Sequence, residues 1–141
     1  MPRYLGIDFG ASRVGLALSD SDGIIAQPYG AIEWSDTDDL IEQIAEIITE
    51  KRVEIIVIGH PIHLSGESSE MSRKVEDFAK LIGRRLPDKK LVLVDERLST
   101  KQAEAAIREG GGKPSLNKEA VDTVAAAIIL QSYLERCYEE S

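Results

Sequence analysis

The sequence predicts an α/β protein built on a mixed sheet with helices on both faces. Three observations predict it. Residues 4–32 hold three strand-like runs joined by short turns. After them, apolar runs of strand length alternate with segments of helical spacing. The two later runs, Val53–Ile58 and Leu91–Val94, are continuously apolar, as strands buried on both faces are.

The elements follow in order. Tyr4–Phe9 and Val14–Ser19 are expected to pair through a glycine-containing turn. Ile24–Ile32 is a third strand interrupted at Pro28, which points to an edge or a bulge. From Asp36 onward Leu40, Ile41, Ile44, Ile47 and Ile48 recur at helical spacing, with Ser35 or Asp36 as N-cap. Val53–Ile58 is the fourth strand. The loop GHPIHLSGESSE leads to a helix carrying Val75, Phe78, Ala79 and Ile82, ended by Pro87. Leu91–Val94 is the fifth strand. Ser99 caps a helix reaching Arg108, GGGKPS is a loop, and Asn117 opens a last helix to about Tyr138. With no linker or repeat, 141 residues are expected to form one domain.

Charge and cysteine narrow the functional classes. The net charge of −8 argues at first against a nucleic-acid partner, since phosphate binding usually leaves a basic footprint. Yet of the 25 acids, seven lie between Glu33 and Glu50 with no Lys or Arg among them, leaving 18 acids against 17 bases elsewhere. The acid run reads as the wet face of one helix, so a basic side remains open. The single Cys137 excludes an internal disulfide and fits a reducing compartment. No charged start precedes an apolar run and no segment is long enough to span a bilayer, so the expected location is cytoplasmic.

The first strand raises the chemical question, because Asp8 stands in an apolar run among glycines and alanines. Burying a lone carboxylate is costly unless it pairs, protonates or binds a cation. Alternation puts Gly6 and Asp8 on one face, and Gly15, Ala17 and Ser19 on one face of the next strand. In the last helix Asp122, Ala125, Ala126 and Ile129 share a stripe. Docking that stripe on the small-residue face would bring Asp122 towards Asp8. The run VLVDER adds Asp95 or Glu96, and hydrophobicity does not choose between them. Two carboxylates roughly 4 Å apart repel by about 4 kcal/mol at an effective dielectric near 20. An Mg²⁺ or Mn²⁺ ion would compensate a cluster of such oxygens and could activate water for phosphodiester hydrolysis. The plainer alternatives are a capping Asp8, an Asp95–Arg97 surface pair, and an Asp122 that merely favours a helix N-terminus.

Four motifs in sequence, GIDFGASRVGLA, GHPIHLSGE, VDERLST and NKEAVDTVAAAIILQSYL, resemble those of the YqgF/RuvX family across nearly the whole chain. That family lies in the RNase H-like nuclease superfamily and is described as a Holliday junction resolvase or a nuclease maturing the 5′ end of pre-16S rRNA. The resemblance implies a mixed five-stranded sheet whose first three strands are antiparallel. It also implies a catalytic, metal-binding triad of Asp8, Glu96 and Asp122, with Asp95 in reserve, and Mg²⁺ or Mn²⁺ as cofactor. Arg13 and Arg97 suit phosphate oxygens, and Lys113 and Lys118 beside the last helix could clamp a nucleic acid.

One loop departs from the family pattern. His63, Ser65 and Glu67 stand where the family usually has Asn, Asp and Thr, while Gly59, Pro61 and Gly66 remain. This puts the loop's side-chain contacts with substrate in question, and makes His60 and His63 candidates for acid–base work. Two rival classes are set against the nuclease. An actin-like ATPase would open with the same G-I-D-x-G strand but needs two lobes. A non-catalytic module for ribosome assembly or transcription would keep the acids idle. Symmetric cutting of a junction would favour a homodimer; trimming an RNA end would not require one.

Overall fold

The computed structural model describes residues 2–61, 70–96, 105–110 and 118–140; the side chains of Pro61, Glu96, Lys118, Glu119 and residues 138–140 lie outside that description. Five strands form one sheet: β1 (Tyr4–Phe9), β2 (Arg13–Ser19), β3 (Ala26–Glu33), β4 (Ile55–Pro61) and β5 (Lys90–Glu96). Their spatial order is β3-β2-β1-β4-β5. β1 to β3 are successively antiparallel, whereas β4 runs parallel to β1 and β5 parallel to β4. The helices are α1 (Thr37–Glu50), α2 (Glu70–Arg85), the segment 105–109 (α3) and α4 (Lys118–Glu140).

Alternation along each strand divides the core between two faces. Leu5 and Ile7 of β1, Val14, Leu16 and Leu18 of β2, and Ile56 and Ile58 of β4 pack with the apolar stripes of α1 and α2. On the other face Ala17, Val57 and Val94 pack with Ala126, Ile129, Leu130 and Leu134 of α4. The sheet is thus a layer between two helices and one.

Local chemistry sets the element ends. Asp36 caps α1, its carboxylate accepting from the backbone N–H of Asp38 at 3.0 Å, and Asp38 and Asp39 lie in the first turn, where negative charge suits the helix dipole. Arg84 and Arg85 close α2, and Arg85 clasps Glu42 of α1 at 2.6 and 3.2 Å. β3 is an edge strand carrying a bulge: Leu16 pairs with Gly30 but Ala17 with Pro28. Both features follow from a proline that cannot donate to the ladder.

Some boundaries differ from the sequence expectation. β3 starts at Ala26 rather than Ile24, because the turn before it is held by Asp20, which accepts from the N–H groups of Ile24 and Ile25. β4 begins at Ile55 and continues through His60 and Pro61, which the sequence assigned to a loop. Its parallel pairing with β5 extends as far as Pro61 opposite Glu96. The Ser99 cap, most of the GHPIHLSGESSE loop and the GGGKPS segment lie outside the described residues.

Candidate nuclease site

The candidate site lies where the β1–β2 hairpin meets α4. Asp8 shares strand parity with Gly6, and a Cβ placed on Gly6 would stand 2.7 Å from the Cβ of Leu130 and 2.9 Å from the carbonyl oxygen of Ala126. This face of β1 therefore looks onto α4. Across the hairpin, Asp8 is the register partner of Gly15. A Cβ on Gly15 would stand 2.1 Å from the carbonyl oxygen of Asp122. Only a glycine lets the α4 backbone come so close to the sheet. The contact seats Asp122 over the cross-strand neighbour of Asp8, so two of the three expected acids converge on one spot.

Arg13, the first residue of β2, completes the described part of the site. Its Nε donates to Oδ2 of Asp122 at 2.8 Å, with both side chains about three-quarters buried. The pair links residues 109 positions apart in sequence. The guanidinium expected at a phosphate is here engaged with an acid.

The turn between Asp8 and Arg13 is pinned from β3's end. Trp34 donates its indole N–H to the Gly10 carbonyl at 3.0 Å and its backbone N–H to the Ser12 carbonyl at 3.0 Å. Its ring stacks on Phe9, which in turn lies parallel to Phe78 at 4.5 Å. Sequence reasoning passed over Trp34. The available signal was a lone tryptophan directly after a strand that must return to the hairpin.

The middle acid is resolved by parity for one candidate. Leu91 packs with the α1–α2 core and Val92 and Val94 with the α4 core, so Asp95 falls on the α2 side, away from Asp8. Glu96 occupies the strand position of the same parity as Val92 and Val94, though its side chain lies outside the described part. Arg97, Lys113 and His63 lie outside the described residues, as does the side chain of Lys118.

His60 is not with the acids. It shares parity with Ile56 and Ile58 and faces α2, where its Nε2 and the Ser72 hydroxyl lie 2.7 Å apart and Glu76 is at 3.6 Å. Its β5 register partner is Asp95.

Carboxylates carried by a strand and a helix whose backbones meet here are of the type that suits a hard divalent cation, and the guanidinium on Asp122 shows that a positive charge is accommodated beside that acid. Among the described residues no group of three His, Cys, Asp or Glu side chains is close enough to hold an ion, so a third protein ligand would have to come from beyond them. Among the described residues no helix is long and apolar enough to cross a membrane.

Comparison with known proteins agrees with this architecture. Residues 2–136 match the family described as RuvX: Holliday junction resolvase. The chain belongs to that family. A protein of Maridesulfovibrio salexigens named "Putative pre-16S rRNA nuclease" is 43% identical over 134 residues, covering 95% of this chain and 98% of its own. A Protochlamydia amoebophila protein of the same name is 41% identical, covering 96% of this chain and 95% of its own. Among solved structures, Thermus thermophilus RuvC in complex with a Holliday junction substrate superposes with a TM-score of 0.60 at 17% identity, covering 97% of this chain and 96% of that one. The fowlpox virus Holliday junction resolvase gives 0.55 at 17% identity, covering 95% and 99%. At those identities the likeness is one of fold, and the fold of this RuvX-family chain is RNase H-like.

Proposed function

We propose that this chain is a metal-dependent nuclease that hydrolyses phosphodiester bonds in structured nucleic acid, processing the 5′ end of pre-16S rRNA in the cytoplasm. The single observation that carries the reading is the seating of Asp122 over Gly15, the register partner of Asp8. Two acids brought side by side from a strand and a helix repel unless a proton or a cation compensates them, and a shared divalent ion is the compensation that also supplies hydrolytic chemistry. The substrate assignment draws on relatives that carry that name, match about 95% of this chain and are 34–43% identical to it.

In this reading Asp8, Glu96 and Asp122 hold one or two Mg²⁺ or Mn²⁺ ions. When bound, such an ion lowers the pKa of water and steadies the leaving oxygen of a phosphodiester. The chain's own part is positional. Gly15 lets Asp122 approach, the β1–β2 hairpin fixes Asp8 opposite it, and Trp34 holds the intervening turn. Arg97, Lys113 and Lys118 are the proposed phosphate contacts, and one domain carries the whole activity.

A second reading, resolution of four-way DNA junctions, is favoured by the family's description. It calls for a two-fold homodimer, since two strands must be cut symmetrically. The test is cleavage of a labelled precursor 16S rRNA fragment and a labelled four-way junction, each with Mg²⁺, Mn²⁺ or EDTA, by the wild type and Asp8→Asn. The reading expects metal-dependent cutting that Asp8→Asn abolishes, with the RNA preferred. Preference for the junction would install the second reading. Tight binding of RNA without cutting by any metal form would leave a non-catalytic assembly module in its place.

A further inference from the structure

The Arg13–Asp122 pair carries an inference that rests on the metal-dependent reading above. We propose that Arg13 is a built-in counter-cation of Asp122, which neutralises that acid in the ion-free protein and competes with the metal ion for its carboxylate. Three observations support it. The Nε of Arg13 already sits on Oδ2 of Asp122 at 2.8 Å, a charge-assisted contact in a partly buried setting. The Asp122 backbone packs close over Gly15, so the carboxylate is hung from a fixed point of the sheet, within reach of the Arg13 guanidinium. Arg13 itself is anchored as the first residue of β2, in register with Glu33 of β3, and its turn is held by Trp34.

Two consequences follow from charge alone. Without an ion, two carboxylates brought together in a partly dry site repel, and a fixed guanidinium relieves that repulsion. With an ion, the same guanidinium repels the incoming divalent charge and shares the oxygen it needs. Arg13 therefore keeps the site folded when empty and weakens ion binding. It is a positioning residue, acting through Asp122. A group present only for packing would stabilise the ion-free and ion-bound forms alike.

The test titrates Mn²⁺ alone into the full chain, followed by electron paramagnetic resonance of the free ion, with thermal melts in EDTA and in saturating Mn²⁺. Wild type, Arg13→Gln, Arg13→Lys and Asp8→Asn are compared. Arg13→Gln is expected to bind Mn²⁺ more tightly by about threefold or more, the scale of a part-exposed ion pair. It is also expected to melt below the wild type in EDTA, with the gap narrowing in Mn²⁺. Arg13→Lys keeps the charge and is expected to stay within about twofold of the wild-type affinity. Unchanged or weaker Mn²⁺ binding by Arg13→Gln, or a melting gap equal in both conditions, overturns the inference. If the Gln variant does not fold, a marked change of affinity in Arg13→Lys overturns it. If the wild type binds Mn²⁺ through Asp8 and only the Arg13 expectation fails, the metal-dependent reading stands. If the wild type binds no Mn²⁺, both fall.

Discussion

Gly15 lies directly under the backbone of Asp122, so close that a methyl group at position 15 would meet the Asp122 carbonyl oxygen at 2.1 Å. The obstacle is main chain, which cannot rotate aside as a side chain would. One glycine on a hairpin strand thus sets how near α4 comes to the sheet, and with it the spacing between the two described acids.

Gly15→Ala is therefore expected to push α4 off the sheet. Overpacking of this kind costs about 3 kcal/mol when nothing can yield. Urea denaturation should show a lower midpoint at unchanged slope, and Mn²⁺ binding should weaken as Asp122 moves from Asp8. Wild-type stability and metal affinity in this variant would show that α4 can shift freely and that the close approach is incidental.

The small-residue faces were legible strand by strand because alternation needs no knowledge of partners: Gly6 with Asp8, and Gly15 with Ala17. That the two sets share one face was a condition, met by the register that pairs Gly6 with Ala17 and Asp8 with Gly15. The α4 stripe of Asp122, Ala125 and Ala126 was legible for the same reason. Asp95 and Glu96 were not separable, since Leu91 to Val94 is apolar on both faces and only the packing of Val92 and Val94 on α4 sets the parity. The extension of β4 through His60 and Pro61 was hidden because Gly-His-Pro reads as a turn, while pairing with β5 overrides that preference. The partner of Arg13 was out of reach for a different reason: residue type predicts a cation's appetite, but its acid stands 109 residues away.

Phe78 supports the hairpin from the other face. It is 2% exposed and its ring lies parallel to that of Phe9, the residue after Asp8. Phe78→Ala is expected to cost about 4 kcal/mol, combining lost burial with a cavity. Phe78→Leu, which refills most of the volume, should recover much of it. Chemical denaturation of both variants checks the order; equal losses would mean that the ring geometry, rather than the volume, matters.

The turn before β3 gives stability a specific acid dependence. The backbone N–H groups of Ile24 and then Ile25 hold the Asp20 carboxyl below its ordinary range. A carboxyl so depressed contributes stability that is present above its unfolded pKa and is lost as pH falls through the folded one. Asp20→Asn keeps an acceptor but no charge. Its deficit against the wild type is expected at neutral pH and should shrink below about pH 4. Denaturation midpoints measured across that range provide the check, and a deficit independent of pH would show that geometry rather than charge secures the turn.

His60 and the acids lie on opposite faces of the sheet, which decides what a histidine substitution should do. Its Nε2 is 2.7 Å from the hydroxyl of Ser72, a residue only 1% exposed, and Glu76 stands at 3.6 Å on the same helix. The arrangement fastens the end of β4 to the first turns of α2. His60→Gln is expected to lower stability by about 1 kcal/mol through a poorer contact with Ser72. The shape of the pH–rate profile of nucleic-acid cleavage should stay that of the wild type, because no proton at the acids passes through this ring. If the profile changes shape, His60 reaches the substrate after all, and the separation of the two faces does not describe the working enzyme.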